Sequence, residues 1–223
     1  MCSTVPRRSA RHLRSVSSIP KTRQSILARA APFAAFIVFL AATPQYPLLR
    51  GLAAALLLAI FWRQYAELRG PRLSPRDWLL SIAAGVAVFG VWIALDNGEG
   101  AGFRPLTADG GIDWPVAIAR FAILAAIVPV MEELFWRSFL LRWIDRRDFL
   151  AANPRNASAL AIVATALLFA SEHSLWLAGL AAGLVYTALY VGTGNLRACV
   201  VSHALTNGLL GVWIVATRDW RLW

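Results

Sequence analysis

The run Trp114–Leu141, WPVAIARFAILAAIVPVMEELFWRSFLL, decides the fold class of this chain. It exceeds the about 20 apolar residues that a helix needs to cross the hydrocarbon core of a bilayer. Three charged residues, Glu132, Glu133 and Arg137, nevertheless lie inside it. Because each charge costs roughly 2.5 kcal/mol or more at the middle of a bilayer, an ionisable cluster at this place indicates a functional site.

The composition of the whole chain also indicates a membrane protein. Of its 223 residues, 58% are hydrophobic and 15% are charged, whereas soluble domains carry about 25% charged residues. The candidate spans are Ile26–Thr43, Leu48–Trp62, Trp78–Leu95, Trp114–Leu141, Ala157–Ala170, Leu175–Val191 and Leu196–Thr217. The second and the fifth are short for a crossing. We therefore predict an all-α, polytopic transmembrane helix bundle of about seven spans.

Polarity and the positions of the motifs divide the chain into four parts. Residues 1–25 form a basic tail, which we predict to be disordered and cytoplasmic. Residues 26–113 form the first transmembrane helices, and 114–217 form the core that carries the polar motifs. Residues 218–223 form a C-terminal tail.

The net charge of +10 does not indicate nucleic-acid binding, because of where the charges lie. Arginines cluster in the tail and in the segments Arg63–Asp77 and Arg142–Arg155, whereas the loop Asp96–Asp113 is mainly acidic. This distribution is typical of residues that set membrane topology and meet anionic headgroups. We predict a protein of the bacterial cytoplasmic (inner) membrane, with the N-terminus in the cytoplasm and the acidic loop outside.

Helical spacing gives the two adjacent glutamates different surroundings. Glu133 and Arg137 are four residues apart, so they share a helix face and can form an ion pair. Glu132 is rotated by about 100° from Glu133 and faces another wall. A carboxylate left free in an apolar cavity can act as a general base. For the pair of Glu133 and Arg137, an ion pair that only fixes helix packing is an equal alternative.

Two later spans carry polar residues at the same spacing. Phe169 and His173 are four apart, as are His203 and Asn207. An imidazole and an amide on one helix face can bind water, donate to a developing oxyanion or coordinate a metal. Zinc needs three or four ligands, and Glu132, His173 and His203 can supply three of them. No His-Glu-x-x-His helix and no cysteine cluster supports zinc, so we predict no cofactor and keep this zinc set as the alternative.

The three motifs resemble those of the CAAX-protease and bacteriocin-processing family, also called CPBP or Abi, whose members are intramembrane glutamate-type endopeptidases. The motifs are Glu132-Glu133-x-x-x-Arg137, Phe169-x-x-x-His173 and His203-x-x-x-Asn207, in this order and each on a hydrophobic span. The resemblance covers Trp114–Thr217. The run Met131–Trp143 also resembles the CAAX prenyl protease-related branch, which accompanies bacterial exosortase sorting systems.

This resemblance implies an endopeptidase of the CAAX prenyl protease type that hydrolyses a peptide bond in a membrane-associated protein or peptide. Its catalytic residues would be Glu132, His173, His203 and Asn207, with Glu133, Arg137 and Phe169 as supporting residues. The first glutamate and first histidine would activate water, while the second histidine and the asparagine would stabilise the oxyanion. The implied partners are the lipid bilayer, a membrane-anchored substrate and exosortase-type sorting components, with no nucleic acid.

Two other classes of protein also place charges inside a membrane. One is an ion-coupled transporter. The absence of an inverted repeat in the sequence argues against that class. The other is a non-enzymatic immunity or scaffold protein, which would not need the motif residues. The natural substrate and its cleavage site do not follow from the sequence.

Overall fold

The structure, a computed structural model, describes residues 18–98 and 102–223. Within these ranges the chain is a helix bundle without a β-strand, which confirms the predicted all-α fold. The helices are α1 (Ser18–Ala42), α2 (Pro47–Ile60), α3 (Ala66–Arg69), α4 (Pro75–Ala94), α5 (Trp114–Asp145), α6 (Ala159–Ala170), α7 (Trp176–Thr193) and α8 (Leu196–Thr217). The first helix begins at Ser18, before the predicted span, and the part of the predicted tail ahead of it lies outside the described residues.

Five of the described helices, α1, α4, α5, α7 and α8, are long and apolar enough to cross a membrane. The apolar helices α2 and α6 are shorter, and they are the two spans that the sequence marked as short. The 12 residues of α6 reach about 18 Å, against about 30 Å of hydrocarbon core. In the turn after α6, His173 packs against the ring of Trp92 on α4.

The outer surface of the bundle is apolar, as a lipid-facing surface must be. Leu52, Leu79 and Leu160 are 62%, 68% and 72% exposed, on three different helices. Contiguous apolar exposure of this kind is rare on soluble monomers. The hydrophobic side chains on these faces therefore contact lipid.

Close helix contacts bring the motif-bearing helices together. At Gly85 on α4, an added Cβ would lie only 2.6 Å from the carbonyl oxygen of Ser202 on α8. At Gly183 on α7, it would lie 3.2 Å from the Cα of Ala166 on α6. Small residues allow such close backbone approach between membrane helices. They place the His203 region beside α4, and α6 beside α7.

A buried charged network ties α1, α3 and α5 together at one end of the bundle. Arg29 Nη2 donates to Glu67 Oε2 at 2.7 Å, and Arg142 Nη2 donates to Glu67 Oε1 at 2.9 Å. The hydroxyl of Ser138 joins all three side chains. Burial raises the pKa of the Glu67 carboxyl, but the charge of Arg29 and the hydrogen bonds from Arg29 and Ser138 outweigh it and hold that pKa below its usual value.

Candidate active site

One cavity brings the four predicted catalytic side chains together. It has a volume of about 260 Å³ and lies between α1, α4, α5 and α8. Glu132, His173, His203 and Asn207 all line it, and Glu172 lies at its edge. The rest of its wall is largely apolar and aromatic. Four polar groups from three segments of the chain therefore face one largely apolar chamber.

Glu133 is the centre of a buried ionic cluster beside this cavity. Its Oε1 accepts a hydrogen bond from Arg137 Nη1 at 3.1 Å and one from His203 Nδ1 at 2.8 Å. The glutamate is 0% exposed and the arginine 2% exposed. Arg137 Nη2 also donates to the carbonyl oxygen of Gly183 at 3.2 Å. Glu133 thus links α5 to α8, and through Arg137 to α7, in a contact with His203 that spacing alone did not predict.

Glu132 has a different environment from its neighbour in sequence. It points into the cavity, and its Oε2 has no hydrogen-bond partner among the residues that the structure describes. The nearest cationic candidate is His203 Nε2 at 3.9 Å, which is too long for a hydrogen bond. The wall of the chamber therefore includes a carboxylate oxygen that no described side chain or backbone group binds.

Aromatic rings fix the orientation of the ionic cluster. Tyr186 stacks on the His203 imidazole, with ring centroids 4.9 Å apart and planes inclined by 22°. Its hydroxyl donates to Thr206 Oγ1 at 2.8 Å, which in turn donates to the Gly85 carbonyl oxygen at 2.9 Å. The Arg137 guanidinium lies over the Phe169 ring at 4.6 Å, within the range of a cation–π contact. Phe169 therefore contacts the arginine and is not among the residues that line the cavity.

The tautomer of His173 follows from its hydrogen bond to the backbone. Its Nδ1 lies 2.8 Å from the carbonyl oxygen of Phe169. A carbonyl oxygen only accepts, so Nδ1 carries the proton. In the neutral imidazole, Nε2 then keeps its lone pair, and it can accept a proton or a hydrogen bond in the cavity.

The position of Asn207 depends on an irregular stretch of α5. Residues Ile123–Ile127 are π-helical, and Val128 N–H donates to the Ile123 carbonyl. In this pattern the next carbonyl, that of Leu124, would pair with residue 129, which is a proline and has no N–H. Instead, Asn207 Nδ2 donates a hydrogen bond to the Leu124 carbonyl oxygen at 2.9 Å. Pro129 thereby creates the site that orients the asparagine.

The residues of the alternative zinc set do not form a metal site. Within residues 18–98 and 102–223, no three His, Cys, Asp or Glu side chains are grouped so that they could hold a metal ion. His203 Nδ1 contacts Glu133, and His173 Nδ1 contacts a backbone carbonyl. The donors available to zinc would be the two Nε2 atoms and Glu132, which the present geometry does not gather around one point.

Sequence reasoning missed several residues that hold the site. Tyr186, Thr206 and Trp92 contact the motif histidines directly or through one hydrogen bond. A signal existed for Tyr186, because a tyrosine within a predicted span needs a partner for its hydroxyl and so points to a polar neighbour. Trp92 and Thr206 gave no such signal, since their neighbours come from other helices.

An aromatic segment lines the cavity beyond the end of α8. The ring of Trp223 lines the cavity, and its carbonyl oxygen accepts from Phe103 N at 3.0 Å. The Arg120 guanidinium lies 5.1 Å from the Phe103 ring and 5.7 Å from the Trp223 ring. The segments on either side of the chamber opening are thus held together by one buried arginine.

Comparison with known families agrees with this geometry. Residues 114–209 match the family of type II CAAX prenyl endopeptidases described as Rce1-like. The matched range contains every predicted site residue, from Glu132 to Asn207. No curated protein and no solved structure matches the chain. The link to the exosortase-associated branch stays a prediction. The match agrees with the family that the motifs predicted, and it extends over residues 114–209 of the chain.

Proposed function

We propose that the chain is an intramembrane endopeptidase that hydrolyses a peptide bond in a membrane-associated protein or peptide, with Glu132 as its general base. The observation that carries the proposal is the contrast between neighbours. Glu133 binds Arg137 and His203 through Oε1 and leaves only its Oε2 unpaired, whereas Glu132 lines the cavity and its buried Oε2 has no hydrogen-bond partner. A buried and unpaired carboxylate has a high energetic cost, so its place in a cavity favours a role in chemistry.

In the proposed mechanism, Glu132 removes a proton from a water molecule, and Nε2 of His173 orients that water. The water oxygen bonds to the carbonyl carbon of the scissile peptide, and the carbonyl oxygen becomes an oxyanion. Nε2–H of His203 and the amide of Asn207 donate to this oxyanion, each such donor being worth on the order of 10²–10³ in rate. The C–N bond then breaks, and the proton held by Glu132 passes to the leaving amine.

The cluster around Glu133 supplies what His203 needs for this step. An imidazole whose Nδ1–H is held by a carboxylate can donate from Nε2 only as the imidazolium. The Glu133 carboxylate accepts from Nδ1 at 2.8 Å and so fixes the ring, with Nε2 3.9 Å from Glu132 Oε2. Arg137 keeps Glu133 in place from the other side. In this way Glu133 and Arg137 position His203 without contacting the substrate.

We further propose the bacterial cytoplasmic membrane as the location, with the N-terminus in the cytoplasm. The arginine-rich segments 63–77 and 142–155 support this orientation. As substrate we propose a membrane-anchored protein or peptide that an exosortase-type system sorts. The genes next to the coding sequence test this context directly, because an exosortase gene among them is the expected finding.

The test of the activity compares Glu132→Gln with Asp148→Asn, which alters an exposed carboxylate at the other end of the bundle. Membrane proteins from cells that express each form are analysed by mass spectrometry for new peptide termini. We expect termini that depend on the wild-type chain, that persist with Asp148→Asn, and that fall at least about 10²-fold with Glu132→Gln. Identical termini in all three strains would contradict the proposed peptidase.

A further inference from the structure

The wall of the cavity extends from the middle of the bundle to one of its ends. Leu40 and Trp92 stand near the last residues of α1 and α4, and Ile214 near the last residues of α8. Phe121 stands near the beginning of α5, which runs in the opposite direction. The Trp223 segment closes the wall beyond α8. The chamber therefore reaches from Glu132 toward the end of the bundle that carries the 95–113 loop.

The opposite end of the bundle, which we call the closed end, contributes no residue to the wall of the chamber. There the side chains of Arg29, Glu67, Ser138 and Arg142 form the buried network that joins α1, α3 and α5. Tyr65 adds a hydrogen bond from its hydroxyl to the backbone of α1. None of these residues lines the catalytic chamber. The network lies between Glu132 and this end of the bundle, because Ser138 and Arg142 follow Glu132 along α5.

The two ends also differ in charge. The closed end carries, in its loops and helix ends, Arg63, Arg69, Arg72, Arg76, Arg146, Arg147 and Arg155, with Asp77, Asp145 and Asp148. The open end carries Asp96, Asp109, Asp113, Glu172 and Asp219, with Arg50, Arg104, Arg218 and Arg221. Lysine and arginine in short loops mark the cytoplasmic side of a membrane protein. The closed end is therefore the cytoplasmic end by the same rule that orients other helical membrane proteins.

We propose that the active site opens to the non-cytoplasmic side of the membrane, and that its substrates are membrane-anchored proteins or peptides whose scissile bond lies on that side. The sidedness follows from the cavity, the closed network and the loop charges, whereas the substrate class rests on the proposed peptidase function. Protein tails that are attached to the cytoplasmic face would have no access to Glu132. The proposal thus separates this chain from an enzyme that trims cytosolic, lipid-modified tails.

Cysteine labelling tests the sidedness without any need for activity. Two exposed alanines serve as a matched pair, Ala108 in the loop at the open end and Ala151 in the loop at the closed end. Each is changed to cysteine in the full chain with Cys2→Ser, while Cys199 stays because it is fully buried. Spheroplasts are treated with a membrane-impermeant maleimide before and after permeabilisation.

We expect Ala108→Cys to be labelled in intact spheroplasts and Ala151→Cys only after permeabilisation. The reverse pattern, or equal labelling of both before permeabilisation, would overturn the proposal. The position of the termini that depend on Glu132 tests the substrate class. Termini in non-cytoplasmic segments support it, and termini in cytoplasmic tails overturn it while leaving the peptidase function intact. No dependent termini at all, together with the expected labelling, would reject the peptidase function and leave the sidedness standing.

Discussion

The two adjacent glutamates should respond in opposite ways to the same change. Glu133→Gln removes a charge that accepts hydrogen bonds from Arg137 and His203 at 3.1 and 2.8 Å. Breaking a buried ion pair by removing one partner costs about 3–5 kcal/mol. We expect about 3 kcal/mol, the lower limit, because a glutamine oxygen still accepts one hydrogen bond. Glu132→Gln removes a charge that makes no hydrogen bond, so we expect a change within about 1 kcal/mol and toward higher stability.

Thermal unfolding in detergent measures this contrast, since ten tryptophans report on the fold. At about 2–4 °C per kcal/mol for a chain of this size, Glu133→Gln should lower the melting temperature by about 6–12 °C. Glu132→Gln should leave it unchanged or raise it, while losing activity. The double variant Glu133→Gln/Arg137→Met should lose about 2 kcal/mol less stability than the sum of the losses in the two single variants. Equal losses for the two single variants would refute the division of roles between the glutamates.

Four further predictions concern other parts of the molecule. Gly85→Ala should destabilise the fold, because its new Cβ would lie 2.6 Å from a backbone oxygen of α8; the control Gly90→Ala has nothing within 4 Å and should be neutral or stabilising in the same melt. The pKa of the Glu67 carboxyl is lowered in the fold, so its contribution to stability is present at neutral pH and is lost as the pH falls below the ordinary value of about 4.5. Glu67→Gln should therefore be less stable than wild type at pH 7, and the difference should shrink in melts at acidic pH. Asn207→Ala should reduce the turnover of a mapped substrate by about 10²–10³-fold, and it leaves the Leu124 carbonyl without its partner. Asn207→Asp should not restore turnover, because a carboxylate cannot donate a hydrogen bond. Turnover in excess 1,10-phenanthroline should equal that in its absence, and a loss that added zinc restores would favour the zinc alternative.

Local rules predicted those features of the site that depend on a single helix. The spacing of four residues placed Glu133 and Arg137 on one face, and the helical period turned Glu132 toward another wall. The structure has this arrangement, with the ion pair at 3.1 Å and the other carboxylate in the cavity. Hydropathy also predicted which apolar segments would be helices, and which two would be short.

Contacts between helices were beyond these rules. The hydrogen bond from His203 to Glu133 joins residues 70 positions apart, and no spacing rule specifies it. The π-helical stretches of α5 could not be predicted from local rules either. Tertiary packing decides whether a helix with Pro129 kinks or widens. The orientation of Asn207 depends on that choice through the Leu124 carbonyl.

A single helix connects the open chamber to the closed end of the bundle, and its irregular geometry makes this possible. The second π-helical stretch of α5, Leu134–Leu141, carries Arg137 and Ser138 next to each other. Arg137 binds Glu133 beside the chamber, whereas Ser138 contacts Glu67 and Arg29 in the network at the closed end. Because the two networks share one helix, any movement of α5 that opened the closed end would displace Glu133, and with it His203. The same helix therefore contributes to the network at the arginine-rich end and holds Glu133 and His203 in place beside the chamber.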